Sequence, residues 1–509
     1  ILIQHFIMKR IKTQLAILML GLSAFLLSCS DFLDQENPSV VSVDTYWNNK
    51  EEAEAMLAGC YNVLQQQGLY YNYYNSCDPR ALDGFGTTDG NSGWWFWSPA
   101  EMALSWGNQS PSHELVDVVW KACYKGIARC NEVIYYVPQM GEEKITQADA
   151  DRILGEAKFL RAFYYNYLTS LFRDVPLSKE PTLTGYIPIS SKADIVDFIT
   201  QELKGVAESD VLPVTVAAEE RGRATKGAAW ALLCRIYLYN EKWIEAAEAA
   251  KEVMTLGYEL ENDYLTLFSE AGNTSKEVIF SVRFSATADG TDNQMRGFLS
   301  TRNNEDFFTP IVVNQNLMDE YYDINGNSIA ESSYSTDELK EAENRDPRWR
   351  YNFVFKKADD GGITGYINKY QDYTVTEKNA DNQDYYVIRY ADVLLMRAEA
   401  LAMVNSSGNK TEIEGLINQI RDRVSVGMPH VTDAEITNAG GLLNVIKHER
   451  RVELAFEGHR YFDLRRWGEY NKLTEYNYIG ETKSHVWPIP QGELDNNKSL
   501  VQAAEWGGK

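Results

Sequence analysis

Long stretches of this chain place apolar side chains three and four residues apart, the repeat that gathers them on one face of an α-helix. A first helix is predicted from about residue 49, with Ala53, Met56, Leu57, Cys60, Tyr61 and Leu64 on its stripe. Helices are predicted next over 113–136 and 147–171; in the second, Ala157, Leu160, Tyr164, Tyr167, Leu168 and Leu171 share a face. Two more follow at 225–239 and 243–254, separated by a short polar turn, then a pair at 387–404 and 411–424, and a last one at 442–456.

Alanines alternate with bulky residues in these segments, and small residues let paired helices approach closely, as in helix-turn-helix repeats. Trp243 with Ala246, Ala247 and Ala250 has the look of half a tetratricopeptide unit, but the repeats are unevenly spaced. The prediction is therefore an irregular helical scaffold. Its period collapses over 68–112, a stretch rich in Gly, Asn, Ser, Tyr and Trp and too long for a passive connector, which points to a functional loop. Between 257 and 386 strand-like runs such as 277–282 alternate with Gly/Asn/Asp-rich loops, as expected of an irregular lobe inserted into the helical body. The expected division is a leader over 1–28, an N-terminal helical region over 29–256, the lobe over 257–386 and a C-terminal helical region over 387–509 that completes the scaffold.

The N-terminus changes the picture of where the protein works. Lys9, Arg10 and Lys12 precede a short apolar run that ends Leu26-Leu27-Ser28-Cys29, the layout of a bacterial lipoprotein signal. Cleavage before Cys29 and diacylglycerol on its thiol are expected, with Met8 the start of translation and the bland alternative an ordinary secretory signal. The apolar run falls short of the roughly 20 residues needed to span a bilayer. Residues 30–46 then read as a polar tether to a membrane surface. Stable attachment needs more than one acyl chain. A net charge of −24 argues against nucleic acid as a partner and against adhesion to anionic lipid. Cys60, Cys77, Cys123, Cys130 and Cys234 are odd in number and show no CxxC spacing, so they read as small core residues, with a bridge involving Cys77 left open. Cys123 and Cys130, seven apart on one helix, lie about 10 Å apart along its axis and cannot bridge each other.

Tests for catalysis come back weak. Gly84, Gly86 and Gly90 have the wrong spacing for a nucleotide loop and no flanking βα unit, and no GxSxG, HExxH or P-loop occurs. The run Asp323-Ile324-Asn325-Gly326-Asn327 departs from a calcium loop in its glycine and its closing acid, and reads as a solvated turn. No stretch nominates a glycosidase carboxylate pair. His448 and His459 sit in a charged helix and turn and suit surface or ion-pair roles. No cofactor and no metal is expected, and structural calcium is not indicated.

An ordered set of motifs runs along nearly the whole mature chain. It comprises Trp120, Tyr124, Ile127 and Asn131; Gly155-Glu156-Ala157-Lys158-Phe159-Leu160-Arg161-Ala162; Asp174-Val175-Pro176-Leu177; and Gly222-Arg223-Ala224-Thr225-Lys226-Gly227. Asp346-Pro347-Arg348, the run 389–400, Glu449-Arg450-Arg451-Val452-Glu453-Leu454-Ala455-Phe456-Glu457-Gly458, Asp463-Leu464-Arg465-Arg466-Trp467 and Trp487-Pro488-Ile489-Pro490 complete it. With the lipobox, this set resembles the SusD/RagB nutrient-binding lipoproteins of the Bacteroidetes outer membrane. One departure is Arg173, where the family usually has glycine, a change expected to alter a loop and not the fold. The resemblance implies a mainly α fold: an irregular superhelix of four tetratricopeptide-like helix pairs with a loop-rich capping lobe carrying short strands. It also implies a partner, a SusC-like TonB-dependent transporter over which the protein sits as a lid. The charged block 449–466 reads as structural ion pairing, and Trp467 and Trp487 read as core.

Sugars are held by aromatic faces against their C–H sides and by polar groups at their hydroxyls. The loop offers Trp94, Trp95, Trp97 and Trp106, with Asn91, Asn108, Asp78, Arg80 and Asp89 as polar candidates. The resemblance implies that the capping lobe contributes as well, through Arg302, Asn303 and Phe307, with Gln294 and Phe308 nearby. The expected function is non-catalytic capture of oligosaccharide for delivery to the transporter. The competing readings are a peptide cargo met by Arg80 and Arg302, a surface glycoside hydrolase, and a lid without a ligand site of its own.

Overall fold

The structure, a computed structural model, describes residues 46–66, 68–70, 90–92, 109–181, 186–285, 311–329, 343–357, 363–370, 382–469 and 485–508. Residues 1–52 and 53–509 form two compact units. In the described part of the first, the Tyr46 and Trp47 rings meet edge to face at 5.7 Å. Asn49 Oδ1 accepts from the Glu52 backbone N–H at 2.9 Å, an Asx cap that starts helix α1 (Lys50–Asn62).

The second unit is a row of helices: α2 (Glu114–Tyr136), α3 (Gln147–Phe172), α4 (Lys192–Glu208), α5 (Lys226–Tyr239), α6 (Trp243–Met254), α7 (Tyr390–Asn405), α8 (Lys410–Arg421), α9 (Leu442–Glu453) and the short α10 (Arg460–Arg466). Side-chain oxygens start several of them. Thr146 accepts from Asp149 N, Ser191 from Asp194 N and Thr225 from Ala228 N, at 3.1–3.2 Å, each worth about 1 kcal/mol. Each helix from α2 to α8 packs on the next, and α9 lies mainly against α7. Ala228, Ala231, Ala246 and Ala250 are fully buried, the small residues that let α5 and α6 close on each other. Some 135 residues after α6, the chain returns to place α7 beside it. Tyr258, just past α6, stacks on Tyr390 at the head of α7, and Arg397 donates to the Ala247 carbonyl, so the two helices run antiparallel.

Three boundaries differ from the sequence reading. Helix α4 was not predicted, although Ile195, Val196, Ile199, Leu203 and Val206 carry a regular stripe and all are buried. The segment before α7 is extended: residues 387–389 complete a strand whose backbone is claimed by a neighbouring strand, and the helix starts only at Tyr390. Helix α9 stops at Glu453, because Phe456 and Gly458 take positive φ (58° and 85°), so Glu457 leaves the helix that carries Glu449 and Glu453.

The strands are short: β1 (Gly90–Ser92), β2 (Val175–Pro176), β3 (Ile189–Ser190), β4 (Val278–Val282), β5 (Ile311–Val313), β6 (Phe353–Lys357), β7 (Ile363–Ile367) and β8 (Tyr385–Arg389). Among the described residues one antiparallel sheet runs β1-β5-β7-β6, and β2-β3 and β4-β8 form separate two-stranded pairs. Trp487 is core, donating from Nε1 to Tyr461 Oη at 2.8 Å, whereas Trp467 is half-buried and donates to Glu399. Arg173 closes α3 at φ 70°, a conformation that favours glycine, and is held by Glu505 at 2.6 Å; the loop keeps the glycine-like turn. Cys60, Cys123, Cys130 and Cys234 are buried free thiols, and Cys77 lies outside the described residues.

Candidate functional site

Of the ligand residues named from the sequence, Asn91 falls in β1. Trp94, Trp95, Trp97, Trp106, Asp78, Arg80, Asp89, Asn108, Arg302, Asn303 and Phe307 lie outside the described residues, as does Cys29. What the structure supplies is the frame from which those two segments, 71–108 and 286–310, depart and to which they return.

The frame ties the segments together at two places. At their roots, α1 runs into a 3-10 turn, Val63–Gln65, and Gln65 Nε2 donates to the Arg283 carbonyl at 2.5 Å, just beyond β4. Gly68 follows at φ 99°, so close to α2 that a Cβ there would stand 2.5 Å from the Val118 carbonyl oxygen. Tyr70 then turns inward, 3% exposed, with its ring 4.7 Å from Tyr385 and 6.2 Å from Phe163. The second tie is the β1–β5 ladder, where Gly90, Asn91 and Ser92 pair with Val313, Val312 and Ile311. The ladder is antiparallel, so the chain leaves Ser92 towards Trp94 at the same end where it arrives at Ile311 from Phe307. Val312 also pairs with Tyr366 of β7, which anchors the ladder in the lobe.

Beneath this frame the charged motifs assemble into a buried ion cluster. Arg348 holds Asp346 and Glu449 at 2.7 Å and Glu453 at 2.9 Å. Arg389 reaches Glu277 and Glu453 at 2.7 Å and Glu457 at 2.6 Å. Arg423 meets Glu277 and Glu453 at 2.9 Å, Arg421 meets Glu449 at 2.8 Å, and Lys369 meets Glu457 at 2.5 Å. A second cluster joins Arg450 to Asp392 and Asp463 at 2.6 Å and Arg235 to Asp392 at 2.7 Å. Burial pushes the Glu449 carboxyl up, but Arg348 and Arg421 outweigh it and bring it down to about 2. Glu453 and Asp392 are likewise carried below the carboxylate range by their arginines, against burial. Burial lowers Lys369 to about 8, with Glu457 resisting. Carboxylates clamped in this way stay ionised and have their acceptor sites filled, so they serve as cross-links between lobe and helices and not as proton carriers. His459 differs from the surface or ion-pair role expected of it. It is 4% exposed, and burial lowers it to about 3, so it is neutral. His448 does pair, with Glu320 at 3.0 Å, while its ring stacks on Tyr322 at 4.1 Å. Asp323 Oδ1 accepts from Asn325 N and Asn327 N at 2.9 and 2.8 Å, closing a turn. Among the described residues no group of three or more His, Cys, Asp or Glu side chains converges as a metal would require.

Among the concave surfaces of the described residues, two are large enough for a small molecule. One, of about 550 Å³, lies between α2 and the C-terminal segment, under the exposed ring of Tyr186. The other, of about 470 Å³, lies directly under the Gln65–Arg283 tie. Sequence reasoning missed Gln65, Arg221 and Arg283, because only the tertiary fold brings α1, the turn at 218–223 and the end of β4 together. The available signal was Gly222, whose φ of 85° marks a close backbone approach.

Comparison with known proteins matches residues 276–364 and 359–506 to the sequence model described as the SusD family. Residues 31–238 match a second model, described as starch-binding associating with outer membrane. A SusD-like protein of Formosa agariphila is 27% identical over 97% of this chain and 99% of its own length. The starch-binding protein SusD of Bacteroides thetaiotaomicron is 25% identical over 80% of this chain and 82% of its own. Among solved structures, a SusD-like carbohydrate binding protein from Bacteroides fragilis superposes with a TM-score of 0.77 at 26% identity, covering 90% of this chain and all of that one. A laminarin binding SusD-like protein gives 0.72 at 25% identity, covering 89% and 99%.

Proposed function

Because this chain belongs to the SusD family, we propose that it is a non-catalytic cell-surface protein that captures oligosaccharide and passes it to a SusC-like TonB-dependent transporter in the outer membrane. The observation that carries the reading is the β1–β5 ladder. It joins the aromatic segment of the long loop to the polar and aromatic segment of the lobe, two stretches more than 200 residues apart in sequence. Rings from one side and hydroxyl partners from both then serve one ligand. A broad, wet groove of this kind binds by stacking and by direct and water-bridged hydrogen bonds. It releases its cargo readily because few contacts are deeply buried. Attachment at Cys29 by lipid supplies the surface location; among the described residues no helix is long and apolar enough to cross a membrane. The starch-binding and laminarin-binding relatives favour glucans as the first cargo to try.

The test is binding of the protein from Ser30 onward to a panel of polysaccharides by affinity electrophoresis, beside a Trp94/Trp95/Trp97→Ala triple variant. Retardation of the wild type and not of the folded variant supports glycan capture by this loop. No retardation on any glycan, with binding of peptides instead, moves the cargo to peptide. Turnover of a bound glycan by the purified protein counts against a purely binding role.

A further inference from the structure

We propose that the cavity beneath the Gln65–Arg283 tie is a second subsite, holding the outlying sugar units of the oligosaccharide that the two segments capture; this rests on the glycan-capture reading. Its volume, about 470 Å³, is within the range of small-molecule sites. Gln65 and Arg283 on its wall each stand only a few residues before one of the two segments begins.

The lining has the chemistry of a sugar site. Leu57, Leu64 and Val282 are buried side chains that give it an apolar floor. Polar groups form the rim and still have capacity. Arg221 commits its Nε to Asp384 at 2.9 Å, and Arg283 commits one Nη to the Glu219 carbonyl at 2.6 Å. The rest of each guanidinium makes no hydrogen bond among the described residues, and Gln65 spends its amide N–H on the tie and keeps its carbonyl oxygen. The stem of Arg283 is positioned by the close approach of Gly222, where a Cβ would stand 2.8 Å from its Cγ. Pre-positioning of this kind lowers the entropy cost of binding.

Charge selects the class of ligand. Glu54, Glu219 and Glu220 line the cavity together with Arg221, Arg223 and Arg283, and Glu54 and Arg223 already neutralise each other at 2.9 Å. The lining therefore has no net charge while the chain as a whole carries −24. A phosphate or sulfate would gain nothing here, whereas neutral hydroxyls, which both donate and accept, match alternating guanidinium and carboxylate.

The experiment compares chain lengths. Wild type, Ala58→Trp and Arg283→Ala are titrated calorimetrically with linear β-1,3-glucan and maltose-series oligosaccharides, the short ones di- and trisaccharides and the long ones hexa- to octasaccharides. Ala58 is an exposed residue on the cavity wall, so tryptophan there fills the space without entering the core. Long chains should lose about tenfold in affinity for both variants, and short chains less than about twofold. Should long chains bind both variants as tightly as wild type, the subsite is refuted while glycan capture stands. Should wild type bind no member of either series or of the wider polysaccharide panel, the capture reading falls and the subsite with it. Thermal denaturation confirms that each variant folds, and Arg283→Ala decides the matter if Ala58→Trp does not.

Discussion

Replacing Glu453 by glutamine tests whether the buried ion cluster is the joint between the lobe and the helices. The side chain is fully buried, and its two oxygens meet Arg348 at 2.9 Å, Arg389 at 2.7 Å and Arg423 at 2.9 Å. Around it Arg348, Lys369, Arg389, Arg421 and Arg423 meet Glu277, Asp346, Glu449, Glu453 and Glu457, and Glu435 joins from the half-buried edge at 2.7 Å from Arg421. Glutamine keeps the shape and removes the charge that three buried arginines share, and it turns an amide N–H₂ towards arginine donors. Breaking a buried pair by removing one partner costs about 3–5 kcal/mol, a large share of the roughly 5–15 kcal/mol that holds a domain folded. At roughly 2 °C per kcal/mol for a chain of this size, Tm should fall by on the order of 5–10 °C. Circular dichroism melts and urea midpoints measure it. Glu414→Gln, which touches only an exposed Lys410 pair at 3.6 Å, is the control and should leave Tm in place. A Glu453→Gln protein melting within about 1 °C of wild type would refute the reasoning and mean that water reaches the cluster. Glycan affinity in the cold should be unchanged, because the β1–β5 ladder is untouched.

Acid should destabilise the protein in two stages. Glu449 is held at about 2, below its ordinary 4.5, so its contribution is present above 4.5 and is lost as pH falls towards 2. His459, at about 3, is neutral when folded but takes up a proton below 6.5 when unfolded, so stability also falls from pH 6.5 downwards. Urea midpoints measured against pH should show both limbs, and His459→Gln should remove the upper one alone. Gly68→Ala should destabilise by about 1–3 kcal/mol, since it drives a Cβ against the Val118 carbonyl at positive φ, and it should weaken glycan binding by shifting the loop root; melts and calorimetry check both. Val312→Pro removes a ladder N–H from β5, which is paired on both sides. Glycan binding should be lost while the far-ultraviolet spectrum of the helical body is kept, and retained binding would show that the ladder does not align the two segments.

Much of the scaffold was legible in the chain itself, because a helix is specified by neighbours a few residues apart. The stripes of α2, α3, α5 and α6 appear within a residue of their observed limits, and the capping residues Thr146 and Thr225 stand where those helices start. The motif set was enough to place the chain in its family. Helix α4 was equally legible, with Ser191 as its cap, and was passed over. Helix α7 was harder for a physical reason: Asp392, Arg397 and Glu399 point into the core beside leucines, so it has no polar face to mark its period, and its strand-like approach is decided by pairing with β4.

The sequence by itself thus determined most of the helices and the chemistry worth testing in two loops. Only the tertiary structure decided that those loops are tied to each other, that Glu449, Glu453 and Glu457 face four arginines from three different segments, and that Gln65, Arg221 and Arg283 rim one cavity. The physical reason is common to all three. Strand pairing, ion pairing and cavity walls join residues far apart in the chain, 68 positions for Arg389 and Glu457 and 112 for Arg389 and Glu277, and no local periodicity records which distant partner each will meet.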